Sequence, residues 1–341
     1  TQRCMRADIG ALVALDAVFG EPFRNVNSNT AFFIGGSALL KLTRRCQDRG
    51  NRDRHGLQLY YQKNLFGAEG RKSMKQSKPK MMLFIPAYNC EKQIIRVLNQ
   101  LDDEVLSYFD EVLVVNNRST DDTEKVVLSF LSEHPDKPVK LMRNTENYGL
   151  GGSQKMSFHY AVDHGYEYVC MLHGDDQGDI HDFLPMLEKG IYRQYDCVLG
   201  ARFMKGSRLE GYSKFRTFGN IVYDFIFAFV TRQRIFDLGS GLNMYKTSML
   251  SNSFFEKFPD NLMFNYVMIL ASHYYRHKIR FYPVSWREDD QVSNVKMMNQ
   301  AITVLKMAFT YFFNNEYIHS EFRENPHDSY TCEQITGIEN L

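Results

Sequence analysis

Between residues 80 and 201, short apolar runs alternate with amphipathic stretches at the spacing of strand–helix–strand units, and this repeat constrains the fold more than any other feature. Lys80 to Pro86 reads as a strand closed by Pro86-Ala87-Tyr88-Asn89. Glu91 to Leu101 then carries Ile94, Ile95, Leu98 and Leu101 at helical spacing. A second unit follows at once: Glu111 to Val115 is a strand, Asn116 to Asp122 a polar turn, and Val126, Val127 and Phe130 line a helix with Ser119 or Thr120 as its expected N-cap. Val139 to Met142 leads into the glycine-rich entry Asn147 to Lys155, and Tyr168 to Leu172 and Asp196 to Ala201 add two strands. Runs that are apolar throughout are strands buried on both faces, so the expected class is α/β, a Rossmann-like, mostly parallel sheet with helices on both faces.

The strand Tyr168–Leu172 ends in His173-Gly174-Asp175-Asp176-Gln177, which places carboxylates at the sheet's carboxyl edge, where open α/β sheets bind ligands. Hard cations such as Mg²⁺ and Mn²⁺ take oxygen ligands, often one or two carboxylates plus substrate phosphates, so the cluster suits a nucleotide-diphosphate site. Acid pairs after strands also cap helices, and the cluster alone leaves both roles open.

Six ordered motifs carry a resemblance. Pro86-Ala87-Tyr88-Asn89, the turn within Val114 to Asp121, Asn147 to Lys155, His173 to Gln177, Gly200-Ala201-Arg202-Phe203 with Gly239-Ser240-Gly241, and Trp286-Arg287 with Ser293 to Lys296 together resemble family 2 of the inverting glycosyltransferases, which have the GT-A fold. The likeness covers roughly residues 80 to 300 and is nearest the branch of polyprenyl-phosphate sugar transferases and envelope polysaccharide enzymes. It implies transfer of a sugar from a nucleotide-diphosphate donor to a polyprenyl-phosphate or glycan acceptor, with a divalent metal, Mg²⁺ or Mn²⁺. It further implies donor contacts from Pro86, Ala87, Tyr88, Glu91, Asn116, Ser119, Lys155, Asp175 and Arg202, with Tyr88 and Asn116 flanking base and ribose. Asp175, Gln177 and His173 occupy the metal positions.

Two departures weaken the match. Asn116 and His173 stand where the family carries Asp; an amide keeps an acceptor without the charge, and imidazole is a poorer ligand for Mg²⁺ than for Mn²⁺. A catalytically impaired nucleotide-sugar binding protein of the same fold is therefore the alternative. A non-transferase Rossmann-type nucleotide enzyme is disfavoured, since no G-x-G-x-x-G follows the first strand. Where the resemblance calls for a carboxylate base, only Asp260, after Pro259, and Asp237, before Gly239, are at hand. Asp260 also suits a helix cap. If neither serves, an acceptor that is already anionic, such as a lipid phosphate, needs no base, and Arg287 and Lys296 are the candidates to hold it.

Net charge is +1, which does not indicate a nucleic-acid partner, but residues 41–80 hold 12 Lys and Arg against 3 acids. Residues 1–73 are irregular and basic and fall outside the resemblance; Met74 is the expected natural start, with a small basic appendage touching anionic lipid as the variant reading. The expected catalytic domain is 74–313. Its end, from Val295 to Phe312, has the spacing of an amphipathic helix, suited to packing on the domain or to peripheral contact with a membrane. A polar tail at 314–341 follows. Six scattered cysteines form no C-x-x-C pair, and no apolar run reaches membrane-spanning length or resembles a signal peptide. The expected location is cytoplasmic, with the inner membrane face as a peripheral option.

Overall fold

Strand β1 (Met81–Ala87) is apolar and buried at every position, as a strand with sheet neighbours on both sides and helices on both faces must be. The computed structural model describes residues 78–288 and 297–335, with side chains from 302 onward in the second stretch. After β1 come β2 (Glu111–Asn116), β3 (Val139–Asn144), β4 (Tyr168–Leu172), β5 (Cys197–Ala201), β6 (Leu209–Glu210), β7 (Leu242–Lys246), β8 (Ile279–Pro283), β9 (Trp286–Arg287) and β10 (Cys332–Gln334). Eight strands form one sheet in the order β10-β3-β2-β1-β4-β7-β5-β8, and β6 pairs with β9. β1 to β5 and β8 run in one direction; β7 and β10 run against them. This is the expected mostly parallel α/β sheet, with two antiparallel strands that the sequence did not announce.

The helices that matter for the site are α1 (Ile94–Asn99), α2 (Thr123–Glu133), α3 (Gly149–Asp163), α4 (Lys214–Thr231), α5 (Phe264–Tyr274) and α6 (Met297–Phe313). Alternate residues of the central strands feed two cores. Met82, Phe84, Leu113, Val115 and Met171 pack with Phe158 of α3 and Phe264 of α5, whereas Leu83, Ile85, Val112, Val114 and Leu172 pack with Ile94 and Val97 of α1 and Val127 of α2. Each such side chain contributes substantially; Phe84→Ala would cost about 3–5 kcal/mol.

The expected caps Ser119 and Thr120 are used elsewhere. Ser119 Oγ accepts from Asn89 N at 3.0 Å and Thr120 N donates to Asn89 Oδ1 at 2.8 Å, while Asp121 Oδ1 accepts from Thr123 N at the start of α2, at 3.1 Å.

Residues 314–335, within the expected polar tail, return to the domain. Phe322 N donates to Lys257 O (2.8 Å), Thr145 N donates to Thr331 O (3.0 Å), and β10 adds an antiparallel edge to β3. Among the described residues, no helix is long and apolar enough to cross a membrane. The expectations for residues 1–73 and Met74, and the candidate Lys296, lie outside the described residues.

Candidate active site

The strand order reverses between β1 and β4: β2 and β3 lie to one side of β1, and β4 to the other. Crevices at such switch points, beyond the strands' carboxyl ends, are where open α/β sheets hold ligands. The turn after β4 crosses the end of β1, with Gly174 N donating to Pro86 O at 3.0 Å. A Cβ at Gly174 would meet that carbonyl at 2.8 Å, so only glycine allows the crossing. Pro86 and Ala87 thus frame the crevice floor, while the Tyr88 ring stands 51% exposed beside it, available to stack on a base.

The acid cluster divides its labour. Asp176, in the left-handed region at φ 60, is 2% exposed; its carboxylate binds Arg96 and Arg287, and Gln100 Nε2 adds a hydrogen bond at 3.3 Å. Arg287 Nε also donates to Asp176 O at 2.8 Å, and Arg287 N to Gln177 O at 3.0 Å. Arg287, expected at an acceptor phosphate, therefore clamps the metal-motif turn while remaining half-exposed. Asp175 stays half-buried, accepting from Gln177 N at 3.3 Å. His173 packs on Gly241, where a Cβ would come within 2.7 Å of its ring, and its Nε2 is enclosed without a hydrogen-bond partner. Burial and the nearby Arg202 hold His173 below the usual imidazole range despite Asp175.

Arg202 is the electrostatic centre. Its Nε and Nη2 bind the two oxygens of Asp237 at 2.7 and 2.8 Å, and its backbone N donates to Asp237 Oδ2 at 2.8 Å. Burial opposes its charge, but Asp237 more than offsets this and raises its pKa. The guanidinium lies over Trp286, Phe203 and Tyr212 at 5.0, 5.1 and 5.8 Å from the ring centroids. Asp237, a candidate base, is 2% exposed and occupied by this pairing and by Gly239 N at 2.9 Å.

The remaining donor candidates brace loops. Asn116 Oδ1 accepts from Ser119 N at 2.9 Å and its Nδ2 donates to Glu124 at 2.5 Å, and Glu91 accepts from Asp122 N at 3.1 Å. Lys155 is fully buried. Its three ammonium donors go to Phe258 O, Asp260 Oδ1 and Tyr330 OH at 2.6, 2.7 and 3.0 Å, so it is spent inside the fold rather than extended to a phosphate. Asp260, the other candidate base, also accepts from Tyr330 OH at 2.7 Å. The glycines ahead of Lys155 have the same packing cause: a Cβ at Gly149 or Gly151 would lie 2.4 Å from Asp260 O or 2.3 Å from Pro259 O. Sequence reasoning passed over Tyr330 and Arg96, whose partners Asp260 and Asp176 lie 70 and 80 residues away, and over Tyr212, which belongs to none of the motifs.

His173, Asp175 and Arg202 are thus brought together, whereas Lys155 and Asp260 form a separate buried cluster. Among the described residues no group of three or more His, Cys, Asp or Glu side chains could hold a metal. The enclosed, unpartnered Nε2 of His173 and the half-buried Asp175 carboxylate fit a divalent ion that would take its other ligands from a diphosphate and water.

Residues 82–254, just over half of the chain, match the family described as Glycosyl transferase family 2. The chain belongs to glycosyl transferase family 2. As a member it is a glycosyltransferase, and its relatives include polyprenyl-phosphate sugar transferases. Human dolichyl-phosphate beta-glucosyltransferase is 24% identical over 226 residues, covering 61% of this chain and 67% of that protein. Undecaprenyl-phosphate mannosyltransferase of Micrococcus luteus is 28% identical over 130 residues, covering 38% and 51%. Glucosyl-3-phosphoglycerate synthase from Mycobacterium tuberculosis, solved with Mn²⁺, UDP-glucose and phosphoglyceric acid, superposes with a TM-score of 0.51 at 15% identity over 70% of this chain and 81% of its own. That likeness establishes the GT-A fold.

Proposed function

We propose that this family 2 enzyme moves a sugar, with inversion, from a nucleotide-diphosphate donor to the phosphate of a polyprenyl carrier at a membrane surface. The observation that carries the acceptor reading is the fate of the two candidate bases: Asp237 is bound by Arg202 and Asp260 by Lys155 and Tyr330. A hydroxyl acceptor must lose a proton to a base, whereas a phosphate monoester is already anionic at neutral pH. The names of the dolichyl- and undecaprenyl-phosphate relatives support the same acceptor class.

In this reading a phosphate oxygen forms a bond to the anomeric carbon as the bond from that carbon to the donor diphosphate breaks. The electron pair departs with the nucleoside diphosphate, and a single displacement inverts the configuration. Tyr88 stacks on the base, and Asn116 and Ser119 shape the ribose side. Asp175 and His173, with Gln177 beside them, hold Mg²⁺ or Mn²⁺, which supplies positive charge against the departing diphosphate. Arg202 adds a fixed cation, and Arg287, which stays half-exposed while it clamps Asp176, also meets the acceptor phosphate.

The test is incubation with a panel of nucleotide sugars, Mn²⁺ and a short-chain polyprenyl phosphate, followed by mass spectrometry and the anomeric proton coupling of the product. A glycosyl phosphate of inverted configuration is expected. Donor binding without any product would instead fit the impaired binding protein.

A further inference from the structure

Helix α4 presents a stripe that its own domain leaves bare. Phe215, Phe218, Val222, Phe225 and Phe229 recur three or four residues apart and are exposed, Phe215 to 79%. The opposite side of the same helix is the packed one, with Asp224, Phe227 and Val230 buried. Helix α6 extends the face: Val304, Met307, Ala308 and Tyr311 pack into the core, while Ile302, Phe309 and Phe313 stay exposed, the last to 82%. The stacked rings of Phe229 and Phe312, with centroids 5.5 Å apart, join the two stripes into one surface. A contiguous apolar face of this kind is rarely left uncovered in water.

Its charge selects the partner. Lys214, Arg232, Arg234 and Lys306 are exposed on or beside the two helices, α6 contains no acid, and the one acid of α4, Asp224, is buried. Among the described residues the acids near the face are Glu288, paired with Arg216, and Glu316 past the end of α6, so the exposed charges around the apolar stripe are mainly cations, which complements an anionic lipid surface. The face also adjoins the site. From α4, Asn220 Nδ2 donates to Tyr212 OH at 2.8 Å and the Arg216 guanidinium lies 5.0 Å from the Tyr212 ring, the same ring that lies beside Arg202.

We propose that the exposed face of α4 and α6 docks on the surface of an anionic lipid bilayer. Phe215, Phe218 and Phe313 enter the acyl boundary, and Lys214, Arg232, Arg234 and Lys306 meet lipid phosphates. The purpose of the face rests on the lipid-phosphate reading, since a docked enzyme would meet the carrier's headgroup where it lies. The docking itself does not need that reading and is measured without any acceptor.

The experiment is flotation of the full chain with phosphatidylcholine vesicles, with and without phosphatidylserine, neither containing polyprenyl phosphate. The chain is expected to float with the phosphatidylserine vesicles, and Phe218→Glu with Phe225→Glu is expected to weaken this by roughly ten-fold or more. Turnover on a water-soluble, short-chain acceptor should be unchanged. If that variant misfolds by circular dichroism, Arg232→Glu with Arg234→Glu carries the test, with loss of the phosphatidylserine dependence expected. Failure of the wild-type chain to float, or equal flotation of a folded variant, would overturn the proposal. So would a solution dimer that Phe218→Glu splits, since a second copy would then own the face.

Discussion

Arg202 and Asp237, 35 residues apart in sequence, are joined by two side-chain hydrogen bonds of 2.7 and 2.8 Å beside His173 and Trp286. The pair is buried, so neither charge can be removed alone without leaving the other uncompensated. Asp237→Ala is expected to cost about 3–5 kcal/mol in denaturant unfolding as well as activity. A variant of unchanged stability with turnover alone abolished would mark Asp237 as a base instead.

Lys155, fully buried in the middle of α3, pairs with the partly buried Asp260 at 2.7 Å. Burial pulls the Lys155 ammonium down, with Asp260 partly offsetting it. Lys155→Met should destabilise the fold by about 3–5 kcal/mol, with the donor KM of the remaining folded enzyme little changed. A stable variant with a steeply raised donor KM would restore the phosphate role expected from the glycine-rich entry.

Much of the sheet was legible before any coordinates, and the reason is burial. β1, β2, β4 and β5 are enclosed on both faces and read as continuous apolar runs. β7, Leu-Asn-Met-Tyr-Lys, spends a central position on Asn243, whose side chain serves Gly200 N at 3.2 Å, and so shows no such run. The three-residue edge strand β10 is partly exposed and polar. The site was legible in its motifs but not in its pairings. Arg287 with Asp176 and Lys155 with Asp260 lie 111 and 105 residues apart, and local spacing cannot say which cation meets which acid.

Asp175→Ala should abolish transfer, on the order of several kcal/mol of transition-state stabilisation, while thermal unfolding stays near wild type. His173→Asp should shift metal preference towards Mg²⁺, read as the ratio of rates with Mg²⁺ and Mn²⁺. Full activity of Asp175→Ala in chelator would end the metal assignment.

Asp224 supplies a pH dependence. Burial, reinforced by Asp237 and opposed by Arg202, pushes its carboxyl up to about 8. Between about 4, where the unfolded carboxyl releases its proton, and about 8, the folded chain holds a proton that the unfolded chain lacks, so this group's contribution falls as pH rises and levels off above that. Asp224→Asn is expected to stabilise the fold by roughly 3–4 kcal/mol more at pH near 8 than at pH near 5, read from denaturant midpoints. Equal shifts at both would show the carboxyl ionised throughout.

The central claim is that the acceptor is a phosphate, and paired acceptors of equal chain length test it most directly. With one nucleotide sugar and Mn²⁺, initial rates are measured on a polyprenyl phosphate and on the matching polyprenol. The lipid-phosphate reading predicts turnover on the phosphate, none on the alcohol, and an Arg287→Ala enzyme whose KM for the phosphate rises. Turnover on the alcohol that disappears in Asp260→Asn, with Arg287→Ala unchanged, would contradict it.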